Sequence, residues 1–354
     1  MKEIIHGGDV LSCEEQFHKK MLDFSANINP FGIPPKVLAA AKASLRKSNV
    51  YPDPLCRNLT SAIAKSERLP SSCIICGNGA ADLIFRLALA VKPKLALIPA
   101  PTFAEYEKAL DSVGCRTEHH LLTRENGFIL TDSILPKLNR ELDILILCNP
   151  NNPTGQTVEP ELLLRIAERC KENDILLVLD ECFNSFLDDP EAHSLKNQLD
   201  TYPNLFILKA FTKLYAMAGL RLGYGLCADE TRMDAIYNVS QPWSVSNVAC
   251  AAGIAALTQK VYVEKSKKRI HRQRLYLTAQ LSRLGYEVIG SQANFIFFHT
   301  EEEQLDQRLK EKGILIRSCG NYFGLDQRYY RIAVRRKKEN QKLITALEQL
   351  WKGE

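Results

Sequence analysis

The chain has 354 residues, of which 45% are hydrophobic and 25% are charged, and this length predicts a large core and two domains. The formal net charge of +5 does not by itself indicate nucleic-acid binding, although it suits an anionic small-molecule substrate. No apolar run reaches the roughly eighteen residues that would predict a membrane-spanning helix, so no membrane partner is expected.

Short apolar runs in the first two thirds of the chain predict buried strands, and amphipathic segments between them predict helices. The strands are predicted at 72–76, 94–99, 143–148, 174–180 and 204–210. The helices are predicted near 79–91, 103–113, 159–172 and 247–258. This alternation is typical of a mostly parallel sheet between helices.

From about residue 260 the pattern changes to that of an α+β unit. Strands are predicted near 286–289, 293–299, 314–317 and 329–334, with helices at 261–284, 301–311 and 338–351. We therefore predict an α/β protein whose large domain spans residues 46–258. Both chain ends, residues 1–45 and 259–354, are predicted to form the smaller domain.

Neither the cysteines nor the basic run predicts a binding site, and the cysteines indicate the cellular compartment. The eleven cysteines have no framework spacing and no apolar leader is present, so we expect a cytoplasmic protein. Cys73 and Cys76 form a CxxC filled by isoleucines, which favours a strand over a metal site, and no metal is predicted. The basic run at 265–274 is predicted to be a solvated helix face, so no nucleic-acid partner is expected.

Residues with useful chemistry follow the predicted strands, and ligands in open α/β sheets bind at the carboxyl ends of strands. After the first strand, "GNGAADLIF" places the backbone N–H groups of Gly79, Ala80 and Ala81 at a helix start, where an anion can bind. The next four strands are followed or ended by Phe103, by Asn152 in "NPNNPTG", by Asp180 and by Lys213.

Two cations, Lys213 and Arg221, lie in the apolar run "LKAFTKLYAMAGLRLGYG", where an unpaired charge is expensive to bury. Pyridoxal 5′-phosphate (PLP) is a cofactor that uses all of these residues. Its aldehyde requires a lysine amine, its ring nitrogen a carboxylate, and its phosphate a helix start and an arginine fork. Each residue alone also fits a structural role, as a turn, a core residue or an ion-pair member.

The motifs "NPNNPTG", Asp180 and "TKLYAMAGLRLGYG" occur in an order that resembles fold-type I PLP enzymes of the aspartate aminotransferase group, over essentially the whole chain. The resemblance implies that Lys213 and Asp180 are catalytic and that Asn152 bonds the ring hydroxyl. It implies a phosphate site at Gly79, Ala80, Ala81 and Arg221, with Phe103 stacked on the ring. Tyr51, in "YPDP", is implied to reach the neighbouring subunit's site in a homodimer.

Four further stretches resemble the family of L-threonine-O-3-phosphate decarboxylases: "HGGD", "LDFSANINPFG", "QPWSVSNVA" and "ILIRSCGNYFGLDQRYYRIAVR". That resemblance implies decarboxylation of O-phospho-L-threonine to (R)-1-amino-2-propanol O-phosphate and carbon dioxide, for the nucleotide loop of cobalamin. It implies that the substrate, a phosphorylated amino acid, contacts His6, Gly7, Asn29, Asn152, Arg317 and Arg331.

One departure and two alternatives accompany this interpretation. Aminotransferases of the group usually have tyrosine where Phe183 ends "DECF", so a donor to the ring oxygen is missing, which weakens a plain transaminase assignment. The sibling histidinol-phosphate aminotransferases, or a related aminotransferase, remain an alternative because they also take a phosphorylated amine. A non-catalytic PLP-binding regulator is the alternative from another class, against which the presence of Lys213 argues.

Overall fold

The computed structural model of the chain describes residues 6–352. The predicted small-domain segments therefore extend beyond it, since residues 1–5 and 353–354 lie outside the described residues. Within the described part, the strands are β1 (Leu22–Asp23), β2 (Ile74–Gly77), β3 (Leu95–Ala100), β4 (Arg116–Leu121), β5 (Ile144–Cys148), β6 (Leu176–Asp180), β7 (Leu205–Ala210), β8 (Gly223–Leu226), β9 (Glu287–Gly290), β10 (Phe295–His299), β11 (Ile314–Leu315), β12 (Arg317–Ser318) and β13 (Tyr329–Ala333).

Seven helices in the described part of the chain lie at the predicted segments, although the one predicted from residue 301 begins at Leu305, and five others were not predicted. The helices are α1 (Val10–Phe17), α2 (Pro35–Ser44), α3 (Arg57–Glu67), α4 (Ala80–Val91), α5 (Glu105–Asp111), α6 (Pro160–Glu172), α7 (Phe211–Leu214), α8 (Glu230–Asn238), α9 (Asn247–Leu257), α10 (Lys260–Arg283), α11 (Leu305–Glu311) and α12 (Lys337–Trp351). None of the helices within residues 6–352 combines the length and apolar character needed to cross a membrane.

The large sheet has the strand order β2-β8-β7-β6-β5-β3-β4. The pairs β3–β4, β3–β5, β5–β6 and β6–β7 are parallel, while β8 runs antiparallel to both β7 and β2. The prediction of a mostly parallel sheet is therefore confirmed. Strands β5 and β6 are buried along their whole length, as expected for parallel strands covered on both faces.

Two strands of this sheet were not predicted, and each has a physical reason. Edge strand β4 reads "RTEHHL", which has no apolar run, and it exposes Arg116, Glu118 and Leu121. Strand β8 reads "GYGL", and glycine normally weakens a strand. Here a Cβ at Gly223 would lie 2.5 Å from the backbone nitrogen of Ala80, and one at Gly225 would lie 2.3 Å from the Phe206 ring. Close packing thus requires both glycines.

The second sheet is antiparallel, with the order β12-β13-β10-β9. The N-terminal strand β1 pairs in parallel with β11, so Leu22 lies beside Ile314. Early and late parts of the chain are therefore in direct contact, as a small unit formed by both termini requires. The boundaries at residues 46 and 258 stay a prediction.

Alternation along β5 and β6 decides which side chains reach each face of the large sheet. Leu145, Leu147, Leu177 and Leu179 pack in one apolar cluster. The alternate residues, including Leu176 and Val178, pack in a second cluster with Tyr106. By the two-residue period of a strand, Asp180 points to the same side as Val178. Register therefore directs the carboxylate that ends β6 towards Tyr106.

Candidate active site

A pocket lies where β5, β6 and β7 end, at the start of helix α4. Its empty volume is about 560 Å³. The residues that line it are Ala80, Ala81, Ile84, Phe103, Tyr106, Cys148, Asn152, Asp180, Cys182, Phe183, Ala210, Thr212, Lys213 and Arg221. The structure thus brings together seven of the sequence-predicted residues, drawn from five strand ends and from the segment after α7.

The start of α4 and the guanidinium of Arg221 form one wall of the pocket. Gly79 precedes the helix with a φ of 88°, and no side chain caps this end. A Cβ at Gly79 would lie only 2.6 Å from Nη2 of Arg221, so glycine is required for this close approach. Arg221 itself is exposed and not buried as its apolar neighbours suggested. A helix start beside a guanidinium is an arrangement that binds phosphate.

Asp180 is buried on the pocket floor and accepts two hydrogen bonds. Tyr106 Oη donates to Oδ2 at 2.6 Å, and the backbone N–H of Cys182 donates to Oδ1 at 2.9 Å. Burial raises the pKa of the Tyr106 phenol, and the neighbouring Asp180 carboxyl group raises it further. The phenol therefore keeps its proton and acts as a donor. Asp180 is thereby fixed in position with its carboxyl group facing the pocket.

Lys213 follows β7 and carries an amine that no acceptor within residues 6–352 binds. Its Nζ lies 5.6 Å from the centre of the Phe183 ring. Burial lowers the pKa of Lys213, and the guanidinium groups of Arg331 and Arg221 lower it further. A lysine that loses its proton more readily is a better nucleophile and a better proton-transfer group.

Arg331 is a buried cation whose partners among the described residues are neutral. Nη1 donates to Oδ1 of Asn152, and Nη2 donates to the backbone oxygen of Ser25 at 2.6 Å. Only 5% of Arg331 is exposed, and no carboxylate within residues 6–352 pairs with its guanidinium. A buried charge without a counter-ion is expensive, so this position favours an anionic ligand.

Arg317 lies beside Arg331 in the antiparallel ladder of β12 and β13, where the two residues are direct partners. Directly opposed residues leave a sheet on the same face. The Arg317 guanidinium lies over the Tyr322 ring at 5.2 Å and donates to Asn321 at 2.7 Å. The two arginine side chains thus leave the same face at the edge of the small sheet.

The N-terminal segment, residues 6–9, docks on the loop after β1. Gly8 donates its N–H to Oγ of Ser25 at 2.7 Å. A Cβ at Gly7 would lie 2.4 Å from the Ser25 backbone oxygen, so only glycine allows this approach. His6 then lies beside Phe103, with ring centres 5.5 Å apart, and its Nε2 is 2.7 Å from Oε1 of Glu105.

Asn29 holds the backbone around Lys213. Its amide donates to the Leu214 oxygen at 2.8 Å, and its own N–H donates to the Lys213 oxygen at 3.0 Å. The side-chain oxygen accepts from the N–H of Phe31 at 3.1 Å. Only 2% of Asn29 is exposed, so these internal bonds occupy the side chain that the resemblance implied to contact substrate.

Tyr51 does not line the pocket of its own chain. It is 75% exposed and stacks on Trp243, with ring centres 4.2 Å apart.

Phe183 is buried and packs edge-on against Phe295 at 5.1 Å. Apolar packing thus surrounds the ring at position 183, where aminotransferases of the group usually have a tyrosine.

Tyr106 and Glu105 are site residues that sequence reasoning missed. Tyr106 contacts Asp180 across 74 residues and Glu105 contacts His6 across 99, so no local pattern marks either pair. The one available signal was their place in the first turn of α5, two and three residues after Phe103.

The residues present fit the PLP cofactor that the sequence predicts. The fit rests first on the helix start at Gly79. No side chain caps it and Arg221 lies beside it, so it is open to a phosphate. It also rests on a buried carboxyl group, Asp180, for the ring nitrogen and an unengaged amine, Lys213, for the aldehyde. A face of Phe103 borders the same space.

Comparison with known proteins gives a consistent result. A family described as aminotransferase class I and II matches residues 19–347. The chain is 38% identical to a threonine-phosphate decarboxylase of Salmonella typhimurium, over 98% of this chain and 97% of that protein.

Two solved structures resemble the fold over nearly its whole length. One is a histidinol-phosphate aminotransferase from Clostridium acetobutylicum, with a TM-score of 0.88, 30% identity, and coverage of 94% of this chain and 100% of the other. The second is an L-threonine-O-3-phosphate decarboxylase from Porphyromonas gingivalis, with a TM-score of 0.82, 27% identity, and coverage of 93% and 99%.

Proposed function

The chain belongs to the class I and II aminotransferase family, and from this premise we propose that it is a PLP-dependent threonine-phosphate decarboxylase. The reaction converts O-phospho-L-threonine to (R)-1-amino-2-propanol O-phosphate and carbon dioxide. The cobalamin nucleotide loop is the proposed destination of the product. The observation that carries the proposal is the 38% identity to a threonine-phosphate decarboxylase along almost the entire length of both chains.

The pocket residues have distinct proposed roles in holding the cofactor. The N–H groups of Ala80 and Ala81, with Gly79 and Arg221, would bind its phosphate. Asp180 would pair with the ring nitrogen and Phe103 would cover the ring. PLP supplies an aldehyde that joins the substrate amine and a cationic ring that accepts the electron pair left when carbon dioxide departs.

The two opposed arginines are proposed to orient the substrate. Arg317 and Arg331 present neighbouring guanidinium forks, which suit phosphate or carboxylate. Gripping the remote phosphate allows its binding energy to hold the carboxylate in the orientation that favours its loss. Asn152 would serve both ligands, because its oxygen already accepts from Arg331 while its side chain lines the pocket.

Lys213 is the proposed proton donor to Cα after carbon dioxide leaves. Its amine lies in the pocket, and its lowered pKa suits proton transfer. We propose that Asn29 positions this lysine through the backbone and does not contact substrate, since its side chain is already engaged. Gly7 is proposed to bring His6 to the pocket by packing on Ser25.

A homodimer and a cytoplasmic location are the remaining parts of the proposal. The exposed Tyr51, stacked on Trp243, is available to reach a partner's site. All eleven cysteines are free, as is usual in a reducing compartment.

Histidinol-phosphate aminotransfer is the second candidate, and the TM-score of 0.88 to such an enzyme favours it. The fold as a whole does not discriminate, because both activities use the same pocket. Phe183 favours the decarboxylase, since the site lacks the tyrosine hydroxyl usual in aminotransferases.

One experiment separates the two activities. The holoenzyme is incubated with O-phospho-L-threonine or with histidinol phosphate, each with 2-oxoglutarate, and carbon dioxide and glutamate are measured. The proposal expects carbon dioxide from phosphothreonine and little glutamate from either substrate. Rapid glutamate formation from histidinol phosphate, without carbon dioxide from phosphothreonine, would instead identify the aminotransferase.

A further inference from the structure

Glu105, the first residue of α5, is a nearly buried carboxylate next to the pocket. Its side chain is 11% exposed, and Oε1 lies 2.7 Å from Nε2 of His6 and 3.4 Å from Nζ of Lys108. An ionised carboxylate can only accept hydrogen bonds. The His6 ring therefore donates Nε2–H to Glu105, and this bond fixes the orientation of the ring.

The position of Glu105 is tied to the cofactor site by its neighbour in sequence. Tyr106 donates to Asp180 at 2.6 Å and is fully buried. Phe103, two residues before Glu105, lines the pocket and contacts the His6 ring. The backbone of Glu105 is therefore held between Phe103 and Tyr106, which places its carboxylate within reach of His6.

His6 is held from its other side by Gly7 and Gly8, which dock on Ser25. The same Ser25 accepts a hydrogen bond from Arg331, so His6 and Arg331 are connected through one residue. No group within residues 6–352 bonds Nδ1 of His6, and the side chain is 40% exposed. With Nε2 engaged, Nδ1 is the ring atom that remains for a ligand.

A phosphate at Nδ1 would place the His6 ring between two anionic groups, with one hydrogen bond at each ring nitrogen. We propose that Glu105 is a positioning residue which orients His6 for a hydrogen bond to the substrate phosphate. It thereby selects phosphorylated over unphosphorylated substrate. The inference rests on the proposed function and deepens it: Glu105 touches no substrate and acts only through His6.

A double-mutant cycle on the holoenzyme tests this coupling. Glu105→Ala, His6→Ala and the double variant are compared for kcat/KM with O-phospho-L-threonine and with L-threonine. Glu105→Ala should lower the ratio of kcat/KM for O-phospho-L-threonine to kcat/KM for L-threonine by about tenfold or more, as removal of a charge-assisted hydrogen bond does. In the His6→Ala background the same change should have no further effect. Glu107→Ala removes an exposed carboxylate from the same helix and should leave the ratio unchanged.

Two results would overturn the inference. One is a Glu105→Ala loss that is equal for both substrates, which indicates a structural role. The other is a pair of losses that multiply in the double variant, which indicates independent action. If Glu105→Ala does not fold, Glu105→Gln keeps the shape, removes the charge and should show the same selective loss.

Binding measurements keep this test separate from the proposed reaction. Calorimetry with O-phosphoethanolamine and ethanolamine, which have no carboxylate to lose, needs no turnover. Weaker binding of O-phosphoethanolamine alone in Glu105→Ala supports the inference even if no carbon dioxide is formed from phosphothreonine. Unchanged binding overturns it even if decarboxylation is observed.

Discussion

Arg317 and Arg331 are direct cross-strand partners, and their side chains leave the small sheet on the same face. Like charges in this relationship repel, and an anion bound near both would reduce that repulsion. The pair is therefore our proposed position for the substrate's charge.

We expect Arg317→Lys and Arg331→Lys each to lower kcat/KM for O-phospho-L-threonine by about tenfold or more. A lysine ammonium keeps the charge but cannot form a two-pronged bond to an oxyanion. Because both arginines grip the same ligand, the double variant should lose less than the product of the single losses. Arg328→Lys is the control, since Arg328 is already paired with Asp326 and Glu301. Steady-state kinetics that show no loss in either variant would contradict the assignment.

Lys213→Ala should abolish carbon dioxide release while leaving the fold intact. Lys213 carries the one primary amine within the pocket lining, and an amine can both form an imine with an aldehyde and carry a proton to Cα. Thermal denaturation and circular dichroism would establish folding, and trapped carbon dioxide would report activity. Turnover near the unmodified level in this variant, with cofactor bound, would refute the assignment.

Asp180→Asn should lower the maximal rate far more than the cofactor affinity. An amide cannot hold a proton on the cofactor's ring nitrogen, and we expect a loss of about a hundredfold or more. Tyr106→Phe is the matched control, because it removes one hydrogen bond to the carboxylate and keeps its charge. A hydrogen bond to a charged group is worth about 1.5–3 kcal/mol, but the charge that pairs with the ring nitrogen stays, so the control should lose much less of the maximal rate than Asp180→Asn. An unchanged maximal rate with weaker cofactor binding would reduce Asp180 to a structural partner.

Gly79→Ala should weaken cofactor binding by more than tenfold. The added methyl group would lie 2.6 Å from Nη2 of Arg221, and the φ of 88° is unfavourable for alanine. Gly219→Ala is the control, because nothing lies within 4 Å of its added Cβ. Cofactor retention after dialysis, followed by absorbance, distinguishes the two variants. Equal retention by both would show that the helix start does not hold the phosphate.

Lys213→Met should stabilise the apoprotein at neutral pH, and this gain should shrink as the pH rises. The folded-state pKa of Lys213 is lowered, so the unfolded chain binds more protons between that value and the ordinary value. The stability of the unmodified chain therefore rises with pH in this window, relative to the variant. Urea unfolding of both apoproteins from neutral pH to about pH 10 measures the difference. A gain that does not depend on pH would contradict the lowered pKa.

The sequence was sufficient for the central strands of the large sheet because they are apolar runs, as in "DILILC". It failed at β4 and β8 of the same sheet because an exposed edge and two glycines hide the strand pattern. Motif order predicted a shared site for Lys213 and Asp180, and the structure brings both residues to one pocket. The partners of these residues were missed because Tyr106 and Asn29 join distant segments, and only the folded chain brings those segments together.

The hydrogen bond between Arg331 and Ser25 joins residues 306 positions apart. The pocket residues from Ala80 to Arg221, in contrast, are supplied by one continuous stretch of chain. During synthesis from the N-terminus, the pocket for the cofactor can therefore be assembled well before the arginine pair exists. A chain truncated before residue 329 would keep Lys213 but lack Arg331, the arginine proposed to hold the substrate. The last proposed substrate contact therefore forms only when β13 is complete.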